Sequence, residues 1–151
     1  MNWDNEEIKA GIEHCFEDAE DLFLVDATMT ASRGGFQLIA KCDSDSGITL
    51  DQLARINRSI HNNFMLPGLD IEKVSVEVTS PGASFPVTMP RHFNRLVGYS
   101  MKIEHRSETV QTPLEGKIIS ASPEALTVKV KDEELVLNMA DVIQGKVNLR
   151  W

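Results

Sequence analysis

Apolar residues recur at helical spacing at the start of the chain: Ile8, Ile12, Cys15, Phe16 and Ala19, with Glu6, Glu7, Glu13, Glu17 and Asp18 on the other side. That period predicts an amphipathic helix over Glu6–Glu20, capped by Asp4 or Asn5. The pattern then changes to short extended runs. Leu22–Met29 and Phe36–Cys42 read as two strands, and Ser32-Arg33-Gly34-Gly35 between them supplies the left-handed backbone a hairpin turn needs. A polar turn, Asp43–Gly47, follows. Thr49 and Gln52 stand at capping-box spacing and open a second helix through about Phe64, whose buried stripe is Leu53, Ile56, Ile60 and Phe64. Pro67-Gly68 ends it. From Ile71 to Thr79, Val74, Val76 and Val78 alternate with Lys73, Ser75 and Glu77, the period of a half-buried strand.

After Thr79 the pattern breaks. Pro81, Pro86 and Pro90 fall within ten residues, too close for a regular element to persist, so a stiff connector with a short helix over Pro90–Leu96 is expected. Beyond Gly98 every run is extended: Tyr99–His105, Leu114–Ser120, Ala125–Lys131, Glu134–Asn138 and a last strand around Gly145–Leu149, with a single turn over Met139–Val142. Short strands at this spacing predict a small closed barrel of the SH3-like or Sm-like kind. The expected fold is thus α+β: an α-β-β-α-β domain over 1–82, a proline-rich connector and short helix over 83–97, and a barrel over 98–151.

Charge sharpens this division. The formal net charge is −8, but residues 1–81 carry 6 Lys+Arg against 15 Asp+Glu, or −9, while residues 82–151 carry 9 against 8, or +1. An acidic half repels naked nucleic acid and attracts a basic protein surface. With 42% hydrophobic and 25% charged residues, the composition argues against a disordered chain. No apolar run reaches the roughly 20 residues of a membrane span, and the acidic N-terminus is unlike a secretory leader, so a cytoplasmic protein is expected. Cys15 and Cys42 read as small buried hydrophobes.

Candidate chemistry is sparse. His14, His61, His92 and His105 lack metal-ligand spacing, and Gly34-Gly35 marks a hairpin tip, not a phosphate loop. The loop from Asp43 has Ala54 where a calcium loop needs its twelfth-position acid. No catalytic set, cofactor site or metal site is expected. His92 and Arg95 are candidate contact residues, with a cap on the connector and an ion pair to the first domain as their structural alternatives. Ser80-Pro81-Gly82 dictates a turn, and Phe93 reads as core or domain-interface packing. Arg33, Arg55 and Arg58 could form a basic patch touching nucleic-acid phosphates, against the plainer reading of solvated surface. Lys117, Lys129 and Lys131 carry the same ambiguity, since strand lysines also blunt sheet edges.

The order of these elements resembles the ribosome maturation factor RimP family. The residues that carry the likeness are Gly47-Ile48-Thr49-Leu50-Asp51, Val78-Thr79-Ser80-Pro81-Gly82, Pro86, His92-Phe93-x-Arg95-x-x-Gly98 and Leu114-x-Gly116, spread over the whole chain. The chain departs from the family at Ala83-Ser84-Phe85, where Leu-Asp-Arg is usual. The resemblance implies a non-enzymatic, monomeric assembly factor that binds the immature small ribosomal subunit near the decoding region. It also implies contact with rRNA and a basic ribosomal protein, and departure before translation. The rival reading is an Sm-like RNA-binding module acting outside ribosome assembly.

Overall fold

The computed structural model describes residues 3–17, 19–82 and 84–148. It divides into two compact units, Met1–Pro81 and Gly82–Trp151. In the first, Asp4 caps helix α1 (Asn5–Glu13), its carboxylate accepting from the Glu7 N–H at 2.8 Å. The helix is shorter than its period suggests. It tightens into a 3-10 turn at His14–Phe16, after which Ala19 N–H donates to Phe16 O and Leu22 N–H to Ala19 O, steering the chain into the sheet. Ile8, Ile12, Cys15 and Ala19 are buried as the spacing predicts, and Asp18 lies outside the described residues.

Strands β1 (Leu22–Ser32) and β2 (Gly35–Ser44) form an antiparallel hairpin whose loop is Arg33-Gly34, with Gly34 at φ 83°. Both strands outrun the sequence expectation. Asp43 and Ser44 were expected in a polar turn, yet they complete β2 opposite Phe23 and Leu22 and are buried. The Asp43 carboxylate accepts from the Ser44 N–H at 2.8 Å, while the buried Ser44 hydroxyl has no hydrogen-bond partner among the described residues.

The capping box is complete on α2 (Leu50–Asn63): Thr49 Oγ1 accepts from Gln52 N–H, and Gln52 Oε1 accepts from Thr49 N–H. Ile56, Ile60 and Phe64 are buried, while Leu53 is half-buried. A 3-10 turn at Ile71–Lys73 precedes β3 (Val74–Thr79), which pairs parallel to β2, giving the order β1-β2-β3. Helix α1 packs on β1 and α2 on β3. Their apolar stripes meet Leu38, Ala40, Cys42 and Val74 in one core. Fully burying a side chain of the size of Leu38 or Ile60 contributes about 1.5–3 kcal/mol.

In the second unit, Val87 exchanges two 2.8 Å backbone hydrogen bonds with Gly145. Helix α3 (Pro90–Arg95) follows, then β4 (Ser100–His105), β5 (Leu114–Ala121), β6 (Ala125–Val130), β7 (Glu133–Asn138), a 3-10 turn at Met139–Asp141, and β8 (Val142–Val147). Leu149, expected at the end of the last strand, lies outside the described residues. The sheet is antiparallel, in the order β7-β6-β5-β4-β8.

Closure into a barrel, expected from the strand spacing, is not made: among the described residues no ladder joins β7 to β8. The turn between them directs its backbone groups elsewhere, Met139 N–H to Glu124 O and Asp141 O to Arg106 N–H. Phe93, Met101, Ile103, Ile118, Leu126 and Val128 fill the core on one face of the sheet, each at 0% exposure. His105, buried at the end of β4, accepts from Ser107 N–H at Nδ1, so its Nε2–H donates to Gln111 O at 2.8 Å. The ring thereby organises the loop between β4 and β5.

Candidate functional site

The residues singled out in the sequence fall into three groups. The first spans the exit from β3. Thr79 ends that strand, Gly82 takes φ 78°, and Phe85 N–H returns to Gly82 O at 3.4 Å, so the turn closes at Gly82–Phe85, just beyond the Ser80-Pro81 segment where the sequence placed it. Ser80 and Gly82 are exposed and Pro81 is half-buried; Ala83 lies outside the described residues.

The second group sits on α3. Pro90 occupies its first turn, where a missing N–H costs nothing, and the His92 and Phe93 amides both donate to Met89 O at 3.1 Å. Phe93 is wholly buried, its ring seated against Gly145, where an added Cβ would lie 2.7 Å from Phe93 Cε1. Phe93 is a core residue of the second unit with no outward face. Gly98, at φ 95°, turns the chain from α3 into β4, and its N–H donates to Ile118 O at 2.8 Å. His92 is buried at 3% exposure and Arg95 is half-buried. The Phe93-to-Gly98 part of the motif is therefore the device that fastens α3 to the sheet.

The third group is the arginines. Arg33 is exposed at the β1–β2 hairpin tip, and Arg55 and Arg58 are exposed three residues apart on α2, away from Ile56 and Ile60. Two different elements carry them. Around them the unit is acidic: Asp4, Glu6, Glu7, Glu13, Glu17, Glu20 and Asp21 are all exposed. Lys9 pairs with Asp26 at 3.6 Å, and His14 Nδ1 lies 2.7 Å from Glu17 Oε1.

One set of residues was only partly named by the sequence reading, which singled out Lys117 and Lys129 but not Lys102 and Lys146. The solvent side of the five-stranded sheet carries exposed Lys102, Lys117, Lys129 and Lys146. Lys117 stands directly opposite Lys129, and Lys102 opposite Lys146. Lys131 is not among them, because it leaves β6 for a two-residue turn at φ 58°. Edge-blunting does not explain Lys102, Lys117 and Lys129, since β4, β5 and β6 are interior strands, whereas Lys146 lies on the edge strand β8. The local signal for each lysine was present in the alternation, but their alignment depends on pairings between distant segments.

Burial, and secondarily the Glu17 charge, pushes the Cys15 thiol up to about 11; burial, and secondarily Asp43, pushes Cys42 up to about 12. Both remain protonated near neutrality and are poor nucleophiles. Among the described residues no three or more His, Cys, Asp or Glu side chains gather as a metal site, and no helix is long and apolar enough to cross a membrane. An open groove in the first unit is lined by Glu7, Gly11, His14, Asn63, Met65 and Leu66.

No protein-family model matches the chain. Among curated proteins it is similar to the ribosome maturation factor RimP of Flavobacterium psychrophilum, 30% identical over 131 residues that cover 85% of this chain and 77% of that protein. The protein of the same name from Christiangramia forsetii is 23% identical over 97% of this chain and 98% of its own length. That of Chlorobium limicola is 28% identical over 95% and 89%. These matches run through both units.

Proposed function

The chain belongs to the ribosome maturation factor RimP family, and from that premise we propose that it is a non-enzymatic assembly factor which binds the immature small ribosomal subunit in the cytoplasm. The observation that carries this reading is the match to relatives of that name across both units. Its mechanism is binding and release as a monomer, holding rRNA and a basic ribosomal protein near the decoding region without making or breaking a bond. The −9 charge of residues 1–81 supports a basic protein surface as the first unit's partner. The exposed Ser80, Gly82, Arg33, Arg55 and Arg58, with half-buried Pro81 and Arg95, are the proposed contacts of this group.

The finer reading of the second unit is a module of the SH3-like or Sm-like kind. What supports it is the strand order, in which the last strand returns to pair beside β4. We read the chain as an acidic domain over 1–82, a connector over 83–97 and the small β domain over 98–151.

Co-sedimentation of the purified chain with small-subunit precursors tests the proposal. The expected result is saturable pelleting with immature particles and none with mature subunits. A chain that stays in the supernatant at low salt, yet retains free single-stranded RNA, would overturn it in favour of an Sm-like module acting elsewhere.

A further inference from the structure

Resting on the assembly-factor reading, we infer that the solvent face of the five-stranded sheet is an RNA-backbone contact, made by a track of lysines outside the arginines of the first unit. Met101, Ile103, Ile118 and Val128 point into the core, so the residues between them point out. Lys129 on β6 pairs with Lys117 on β5; Lys102 on β4, one outward step along the strand from Ser100, the partner of Lys117, pairs with Lys146 on β8. The four lysines thus cross four adjacent strands with one two-residue step between β5 and β4, about 14 Å across the strands and about 16 Å end to end at a strand spacing of ~4.8 Å and a rise of ~3.4 Å per residue.

Two properties argue for a polyanionic occupant. Like charges placed directly across strands destabilise a sheet, and this sheet does so twice, at Lys117–Lys129 and Lys102–Lys146. A row of phosphates would remove that repulsion. None of the four lysines lies in an ion pair within 4 Å among the described residues, even though Glu134 stands opposite Lys129 and Glu115 opposite Lys102. Those carboxylates, with Glu104 on β4, border the track and hold the face's net charge low. A lysine row bordered in this way binds a backbone weakly and releases it readily.

Lysine ammoniums are point charges without the planar fork that reads a base edge, and the track itself contains no aromatic ring on which a base could stack. The contact should therefore ignore base sequence. The first unit is the poorer candidate: its arginines are divided between a hairpin tip and a helix, within residues of net charge −9.

The test uses the full chain, two labelled unstructured RNAs of different base composition, and small-subunit precursors. The doubles Lys117→Gln/Lys129→Gln and Lys102→Gln/Lys146→Gln are compared with wild type, with the quadruple variant, and with Arg55→Gln/Arg58→Gln. For four phosphates on a single strand, log affinity against log salt should have a slope of about −3. The quadruple variant should bind both RNAs at least tenfold more weakly with a flattened slope. Each double should fall between, at an unchanged or raised melting temperature, since a repulsive pair has been removed. Undiminished RNA affinity in the quadruple variant, or complete loss of affinity in Arg55→Gln/Arg58→Gln with the lysines intact, would overturn the inference. Precursor pelleting separates the two readings. If wild type does not pellet, the assembly role fails, and the RNA titration still judges the track. If wild type and the quadruple variant pellet equally, the track alone fails as a subunit contact.

Discussion

Gly145 concentrates more of the second unit's construction than any charged residue. A Cβ at this position would lie 2.7 Å from Phe93 Cε1, 2.9 Å from Ile103 Cδ1 and 3.0 Å from Met101 Cε, while the glycine backbone holds both hydrogen bonds to Val87. Gly145→Ala should therefore overpack the core and lower stability by about 1–3 kcal/mol. A urea titration would register it as a lower midpoint at unchanged slope; an unaltered midpoint would mean that α3 moves aside at little cost. Residue type alone did not disclose this role. Gly145 stands between polar Gln144 and Lys146, and its crowding arises from a phenylalanine 52 positions earlier in the chain. Gly98 acts more locally: leading from α3 into β4, it adopts the left-handed backbone at φ 95° that a glycine takes without strain. Phe93 was read as core or interface from its hydrophobicity, and the contacts with Met101, Ile103 and Gly145 resolve that choice.

Among the elements, those whose stabilising interactions are local were legible in the sequence. Helix α2 is the clearest instance, because the Thr49–Gln52 reciprocal cap and the Ile56–Ile60–Phe64 stripe both lie within the segment they define. Thr49→Ala should cost about 1 kcal/mol, since it leaves the Gln52 amide without its cap acceptor at the helix start. Thermal melts of Thr49→Ala and Thr49→Ser would check this, with Ser expected to retain most of the stability. Strand ends were less legible. Nothing in Asp43-Ser44 suggests a strand, and only their pairing with Phe23 and Leu22 extends β2 through them. The same reason explains the open sheet. Five strands of barrel-like length were evident, but whether β7 meets β8 depends on how the Met139–Asp141 turn uses its backbone groups, with Glu124 and Arg106 as distant partners. The lysine track is the functional counterpart of this limit: two of its members were visible by alternation, and its course across four strands only by register.

For the whole molecule, the division of charge makes a prediction about what the first unit meets. Residues 1–81 carry −9 and residues 82–151 carry +1, so a partner that is mostly phosphate would repel the first while tolerating the second. A ribosomal particle offers both kinds of surface, and the sign of an electrostatic effect on association rate tells them apart. Glu6, Glu7 and Glu13 are exposed on or beside α1, away from the buried Ile8 and Ile12, so neutralising them leaves the core untouched. If the first unit docks on a basic protein surface, Glu6→Gln/Glu7→Gln/Glu13→Gln should slow association with small-subunit precursors severalfold at low salt. Dissociation should change little, and the difference should vanish as salt is raised, because steering acts on the encounter and is screened. If the first unit instead faces rRNA, the same substitutions remove a repulsion and association speeds up. Stopped-flow binding of the labelled chain at two ionic strengths reads the sign directly. A faster variant would reassign the acidic unit from a protein-docking surface to one that is merely kept clear of RNA.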